Sequence, residues 1–157
     1  MRATLRGLFG ERPQFYTPRM VQTEVMEWQR AEREASPIRF AVFVDEQNVP
    51  AEIELDEHDA VCLHVIARAE GQAVGTGRLL PDGHIGRMAV LKAFRGKGIG
   101  AAMLNVLIDK ARERGEKEVV LSAQTHALGF YRRHGFVDEG EPYIDASIPH
   151  LTMRKVF

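Results

Sequence analysis

Between His64 and Leu91 the apolar residues fall into three short blocks separated by turn residues. His64–Ala69 and Ala73–Leu80 flank Glu70-Gly71-Gln72, which reads as a hairpin connection. Asp82-Gly83 marks a second turn before Ile85–Leu91, where Ile85, Met88 and Val90 are apolar. These three blocks predict an antiparallel meander. The period then lengthens. Ile99, Met103, Val106 and Leu107 recur at helical spacing, Arg112 and Arg114 sit in the last turn, where positive charge suits the dipole, and Gly115 ends the helix. Val119-Val120-Leu121, inside Glu118–Ser122, predicts a strand buried on both faces. A shorter helix over about Ala127–His134 stops at Gly135, and Phe136-Val137 and Leu151–Val156 supply the last strands. Upstream, Val25–Val44 favours a helix that Pro37 breaks or restarts. Phe40, Phe43 and Val44 give its second half one buried face. Gln47–Asp59 turns polar and acidic and predicts a loop.

A chain of 157 residues suits one domain. The expected division is an N-terminal extension over 1–16 and one domain over 17–157, with no repeat or linker to split it. Lys plus Arg number 21 against 22 Asp plus Glu, so no overall field draws in nucleic acid or a membrane. No apolar run approaches the roughly 20 residues that span a bilayer. Met1–Gly10 is basic but lacks the apolar core of a signal peptide. The single cysteine, Cys62, lies in the apolar stretch Val61-Cys62-Leu63 and reads as a small core residue. A reducing, cytoplasmic setting is the matching expectation.

The segment with most chemical content is Arg95-Gly96-Lys97-Gly98-Ile99-Gly100-Ala101, between a strand and an amphipathic helix. Its alternate glycines let the backbone take positive φ and let a ligand approach closely. The helix that begins there has unpaired N–H groups and a dipole that favours an anion. Arg95 and Lys97 add charge, and a pyrophosphate fits this combination. A nucleoside-triphosphate loop needs Ser or Thr after Gly-Lys, whereas Gly98 follows Lys97. Gly96 to Ala101 matches the alanine variant of the dinucleotide fingerprint, but an antiparallel meander leaves too few residues for a doubly wound parallel sheet.

Arg95–Gly100 resembles the (Gln/Arg)-x-x-Gly-x-(Gly/Ala) signature of the GCN5-related N-acetyltransferase (GNAT) superfamily. Gly129-Phe130-Tyr131-Arg132-Arg133-His134-Gly135-Phe136 resembles that family's Phe-Tyr-x-x-x-Gly-Phe mark, at matching spacing. Val42-Phe43-Val44-Asp45-Glu46-Gln47, with Pro50 and Pro149-His150, is similar to the ElaA-type subgroup. The resemblance covers about Val25–Phe157. It implies a mixed α/β sheet, antiparallel at first, with a parallel central pair splayed around acetyl-coenzyme A and helices on both faces. It also implies acetyl transfer to an amine of a small molecule or peptide, without a metal. Dimers are common in the family, so a homodimer is one expected arrangement. A coenzyme A-binding sensor without catalysis and a dinucleotide-binding module are the competing classes.

By the same resemblance, amides of the Arg95–Ala101 loop bind the pyrophosphate, and the pantetheine arm lies beside Met88, Ala89 and Val90 as an added strand would. The Val90 N–H polarises the thioester carbonyl, and Tyr131 protonates the leaving thiolate. A phenol with an ordinary pKa of about 10 stays protonated near neutrality and can donate. Glu46 and His150 are the candidate bases on the acceptor side. The acidic stretch from Asp45 to Asp59 either attracts a cationic amine or is a solvated loop. His58, Asp59 and His64 lack any recognised metal-ligand spacing.

Overall fold

The computed structural model describes residues 21–157, so the expected extension over 1–16 lies outside the described residues. Seven strands form one sheet: β1 Val21–Glu27, β2 Leu63–Ala69, β3 Gln72–Leu79, β4 His84–Val90, β5 Glu118–Gln124, β6 Val137–Asp145 and β7 Ile148–Val156. Their order is β1-β2-β3-β4-β5-β7-β6. Every neighbouring pair is antiparallel except β4 and β5, which run parallel. The predicted meander is β2–β3–β4. The helices are α1 Trp28–Arg39, the short α2 Ala51–Glu54, α3 Ile99–Glu113 and α4 Leu128–Arg133. None of the described helices is long and apolar enough to cross a membrane.

The predicted helix over Val25–Val44 needs correcting at both its start and its middle. Val21–Glu27 is a strand, because pairing with β2 from Val21↔Ala69 to Glu27↔Leu63 outweighs the helix preference of Glu and Met. Pro37 does not break α1 but lies inside it. It has no N–H to give to the preceding turn, and beyond Arg39 the coil widens into a π-helical segment, Phe40–Glu46. Gln47–Asp59 is not a plain loop either, since it contains α2.

Both faces of the sheet are covered. Val65, Ala67 and Ala69 of β2 face α3, which buries Ile99, Met103, Leu104, Leu107 and Ala111. Ile66 faces the other way, onto Ala31 and Ala35 of α1. Gly75 and Gly77 of β3 let α3 approach. A Cβ on Gly75 would stand 3.0 Å from the Met103 sulfur, and one on Gly77 would stand 3.2 Å from the Leu107 side chain. Strand β5 is buried on one face only, through Val119, Leu121 and Ala123, while Ser122 is exposed. The prediction of two buried faces fails because β5 borders an opening rather than a second packed layer.

That opening comes from β4. In its pairing with β3 the register steps from Thr76↔Ala89 to Arg78↔Gly86, one residue more on β4 than on β3. Arg87, in the left-handed region at φ 51°, is the strained residue of this bulge. A bulge bends its strand, and β4 pairs with β5 only at His84↔Val120 and Ile85↔Leu121. Beyond Ile85 the two strands diverge.

Candidate active site

A cleft of about 620 Å³ occupies the splay. Gly86–Val90 form one wall and Leu121, Ser122 and Gln124 the other. Gly100, at the start of α3, and Tyr131 also line it, and Ile148 and His150 of β7 continue the β5 wall through the pairing of His150 with Gln124.

The start of α3 has the geometry that can accept an anion. Its N-cap is Gly98, at φ 84° and ψ 5°, so no side chain caps the helix, and its first turn carries no acidic residue. Gly96 is also left-handed, at φ 77°. A Cβ on Gly96 would meet nothing within 4 Å, so conformation rather than space demands glycine there. The first backbone bond of the helix is Ala102 N–H to Gly98 O, at 3.1 Å. The amides before it stand at the positive end of the dipole.

Arg95 ties this loop to the cleft wall. Its Nε donates to the Val90 carbonyl at 2.8 Å, and its Nη2 lies 2.9 Å from the Glu46 carboxylate. Glu46, expected on the acceptor side, is thus joined to the loop arginine and is absent from the cleft lining. Lys97 lies between the two left-handed glycines. The direction of the Val90 amide follows from strand geometry. Leu91 N–H donates to Val74 O on β3, and amides alternate sides along a strand, so Val90 N–H points away from β3 into the splay.

Tyr131 is half-buried on α4, edge-on to Phe130 and Phe136 with ring centroids 5.0 and 5.8 Å away. Burial pushes its phenol up to about 12. His150, a buried residue of β7, has its Nδ1 2.7 Å from the Ile148 carbonyl. A carbonyl can only accept, so in the neutral ring Nδ1 carries the hydrogen and Nε2 the lone pair. Tyr143 stacks on the imidazole at 6.0 Å and 21°, and its hydroxyl is bonded to Ser122 Oγ. The structure therefore brings Tyr131, His150 and the Met88–Val90 edge into one cleft, with the Arg95–Ala101 loop at one end.

The family profile described as an acetyltransferase (GNAT) domain matches residues 23–157. The chain belongs to that family. Over 127 residues it is 39% identical to the Bacillus subtilis protein named "Uncharacterized N-acetyltransferase YjcF", covering 78% of this chain and 91% of that one. It is 31% identical over 126 residues to Protein ElaA of Escherichia coli, covering 75% and 82%. Among solved structures, an acyl-CoA N-acyltransferase from Pseudomonas aeruginosa superposes at a TM-score of 0.77 and 31% identity, covering 87% of this chain and 99% of that one. Escherichia coli ElaA superposes at 0.77 and 27%, with the same coverage. These matches place the chain with the ElaA-type GNAT proteins and make acyl transfer its reaction class. The mixed sheet is the one the sequence resemblance implied.

Two features of this GNAT domain escaped the sequence pattern. Among Asp45–Asp59, the carboxylates of Glu54, Asp56 and Asp59 are locked in a partly buried ion cluster with Arg39, Arg78 and Arg87. Arg39, Glu54 and Asp59 are each no more than 2% exposed. Hence at Glu54, Asp56 and Asp59 the segment is neither a solvated loop nor a free lure for cations. Bonds and charge from Arg78 hold Asp56 down at about 2 despite its partial burial, whereas burial raises Glu54 in spite of its arginines. His64 joins the cluster through Nε2, 2.9 Å from the Asp59 carbonyl. Cys62 is buried, and its thiol is pushed up to about 11, as suits a core residue. The second missed feature is a clasp of two amides. Gln47 and Gln124 exchange hydrogen bonds of 3.2 and 2.8 Å, joining the end of the π-helical segment to the end of β5. Partners 77 positions apart leave no local signal.

Proposed function

We propose that the protein is an acetyl-coenzyme A-dependent N-acetyltransferase that acetylates an amine of a small molecule or peptide by direct attack on the thioester. The observation that carries this reading is the cleft between β4 and β5, which leads to an uncapped helix start flanked by two left-handed glycines. A diphosphate needs a concave row of N–H donors with no Cβ above it, and Gly96–Ala101 fit that need. Their amides would hold it, with Arg95 and Lys97 supplying charge, and Met88, Ala89 and Val90 would hold the pantetheine arm. The coenzyme supplies an activated acyl thioester.

The chain's own groups do the rest. The Val90 N–H donates to the acyl oxygen as charge develops on it. His150 Nε2 accepts the proton of the attacking amine. The Tyr131 hydroxyl donates a hydrogen bond to the departing sulfur. A phenol near 12 is a weaker acid than a thiol at about 8.5, so it steadies the thiolate rather than handing over its proton. Glu46, held by Arg95, acts on the loop and leaves the base role to His150. Only one strand pair of the described sheet is parallel, which argues against a doubly wound dinucleotide module. The test is thiol release from acetyl-coenzyme A with a panel of polyamines, aminoglycosides, amino acids and lysine peptides. Release with at least one amine is expected, and a coenzyme left intact by every amine would overturn the proposal.

A further inference from the structure

The charged groups lining the cleft are almost all compensated. Glu54 is paired with Arg39 and Arg87, Arg87 also with Asp56, and Arg95 with Glu46. The exception is Asp145 at the end of β6, which lines the cleft with no ion pair among the described residues. The other titratable lining groups are the imidazoles of His126 and His150 and the phenol of Tyr131.

The β6–β7 hairpin sets Asp145 relative to His150. Tyr143 pairs with His150, Ile144 with Pro149 and Asp145 with Ile148. Side chains two apart share a face, so Asp145 and Ile148 stand on the same face as Tyr143 and His150. The tip between them, Ala146-Ser147, is a two-residue turn with both φ positive, 50° and 66°. Neither residue is Gly or Asn, so the tip is held at a cost in strain. Asp145 on β6 therefore lies two residues, roughly 7 Å along the strand axis, beyond the level of His150 on the neighbouring strand.

Resting on the acyl-transfer reading above, we propose that the acceptor is an unbranched diamine, with Asp145 holding its distal ammonium while the near amine meets His150 Nε2. A spacer of about four or five carbons covers that reach. The near amine forms the new N–C bond, the C–S bond breaks, and the proton leaves through His150. The distal ammonium is unchanged.

The experiment measures kcat/KM with acetyl-coenzyme A for 1,4-diaminobutane and 1,5-diaminopentane against butylamine, pentylamine and 4-aminobutanoate. Each diamine should exceed its matched monoamine by about two- to fivefold, the worth of an exposed ion pair. Asp145→Asn should bring that ratio close to one, and Asp145→Lys should shift preference to 4-aminobutanoate. Equal use of diamines and monoamines, or a ratio unmoved in Asp145→Asn, overturns the diamine assignment while leaving acetyl transfer standing. Absence of thiol release with every amine, monoamines included, defeats the acyl-transfer reading and this assignment with it.

Discussion

At the level of single residues, the proposed chemistry separates groups that hold from groups that react. Tyr131 meets its surroundings through two edge-on rings, so removing its hydroxyl leaves the packing in place. Tyr131→Phe should lower kcat about 10-fold while leaving KM for acetyl-coenzyme A nearly constant. Steady-state kinetics decides this, and an unchanged kcat would take the tyrosine out of the mechanism. The imidazole of His150 is fixed by the Ile148 carbonyl and by Tyr143. His150→Ala should therefore cost about 100-fold or more in kcat/KM for the amine, with coenzyme affinity retained. Equal loss of affinity and turnover would mean that the histidine only shapes the cleft. Of these two residues, Tyr131 was legible through a local motif that fixes its place after β5. His150 carried far less signal, because its partners are a carbonyl and a ring whose positions depend on hairpin register.

Among the elements, the best-announced ones have their signals nearby in the chain. Helix α3 runs from Ile99 to Glu113 because glycines bracket it and its apolar spacing is regular. Strand β6 gave almost no sign of itself beyond Val137. All nine of its residues are exposed, so no apolar alternation marks the polar run Val137–Asp145. The ion cluster was equally hidden, since its arginines come from α1, β3 and β4 and its acids from α2 and the segment after it. Burial makes this cluster costly to break. Arg39→Met would leave the Glu54 and Asp59 carboxylates without that partner and should destabilise by about 3–5 kcal/mol, read by urea unfolding. A loss near zero would show that the remaining arginines suffice. Asp56 gives the pH dependence. Its folded pKa is lowered from 3.8 to about 2, so its contribution is present above 3.8 and vanishes as pH falls through about 2. Glu54 has the opposite sign, because its folded pKa is raised. Asp56→Asn should thus cost about 1 kcal/mol at pH 7 once solvent screening is allowed for. Wild type and variant should converge as pH falls from 3.8 to below 2, and a gap that persists well below pH 2 would assign the loss to packing.

For the molecule as a whole, the helix start matters because of where the sheet opens. A bulge at Arg87 turns β4 away from β5, and the resulting cleft leads to the amides at Gly96–Ala101. The sequence announced the loop but not the opening, since a bulge at Gly86-Arg87 has no period of its own. If loop and opening act together, binding should stabilise the whole fold through linkage. At a ligand concentration of 100 Kd the gain is about 2.7 kcal/mol, which corresponds to a Tm rise of roughly 5–10 °C in a domain of this size. Acetyl-coenzyme A should produce that rise in the wild type and in Tyr131→Phe, which keeps the binding surface. Gly98→Val should lose it, because a β-branched residue resists the φ of 84° and covers the amides with a side chain. Its own Tm without ligand separates lost binding from lost folding. Nicotinamide dinucleotides share the diphosphate but not the thin pantetheine arm, so they should give little shift. An equal shift with them would mean that the loop alone selects the ligand and that the splayed strands take no part in choosing it.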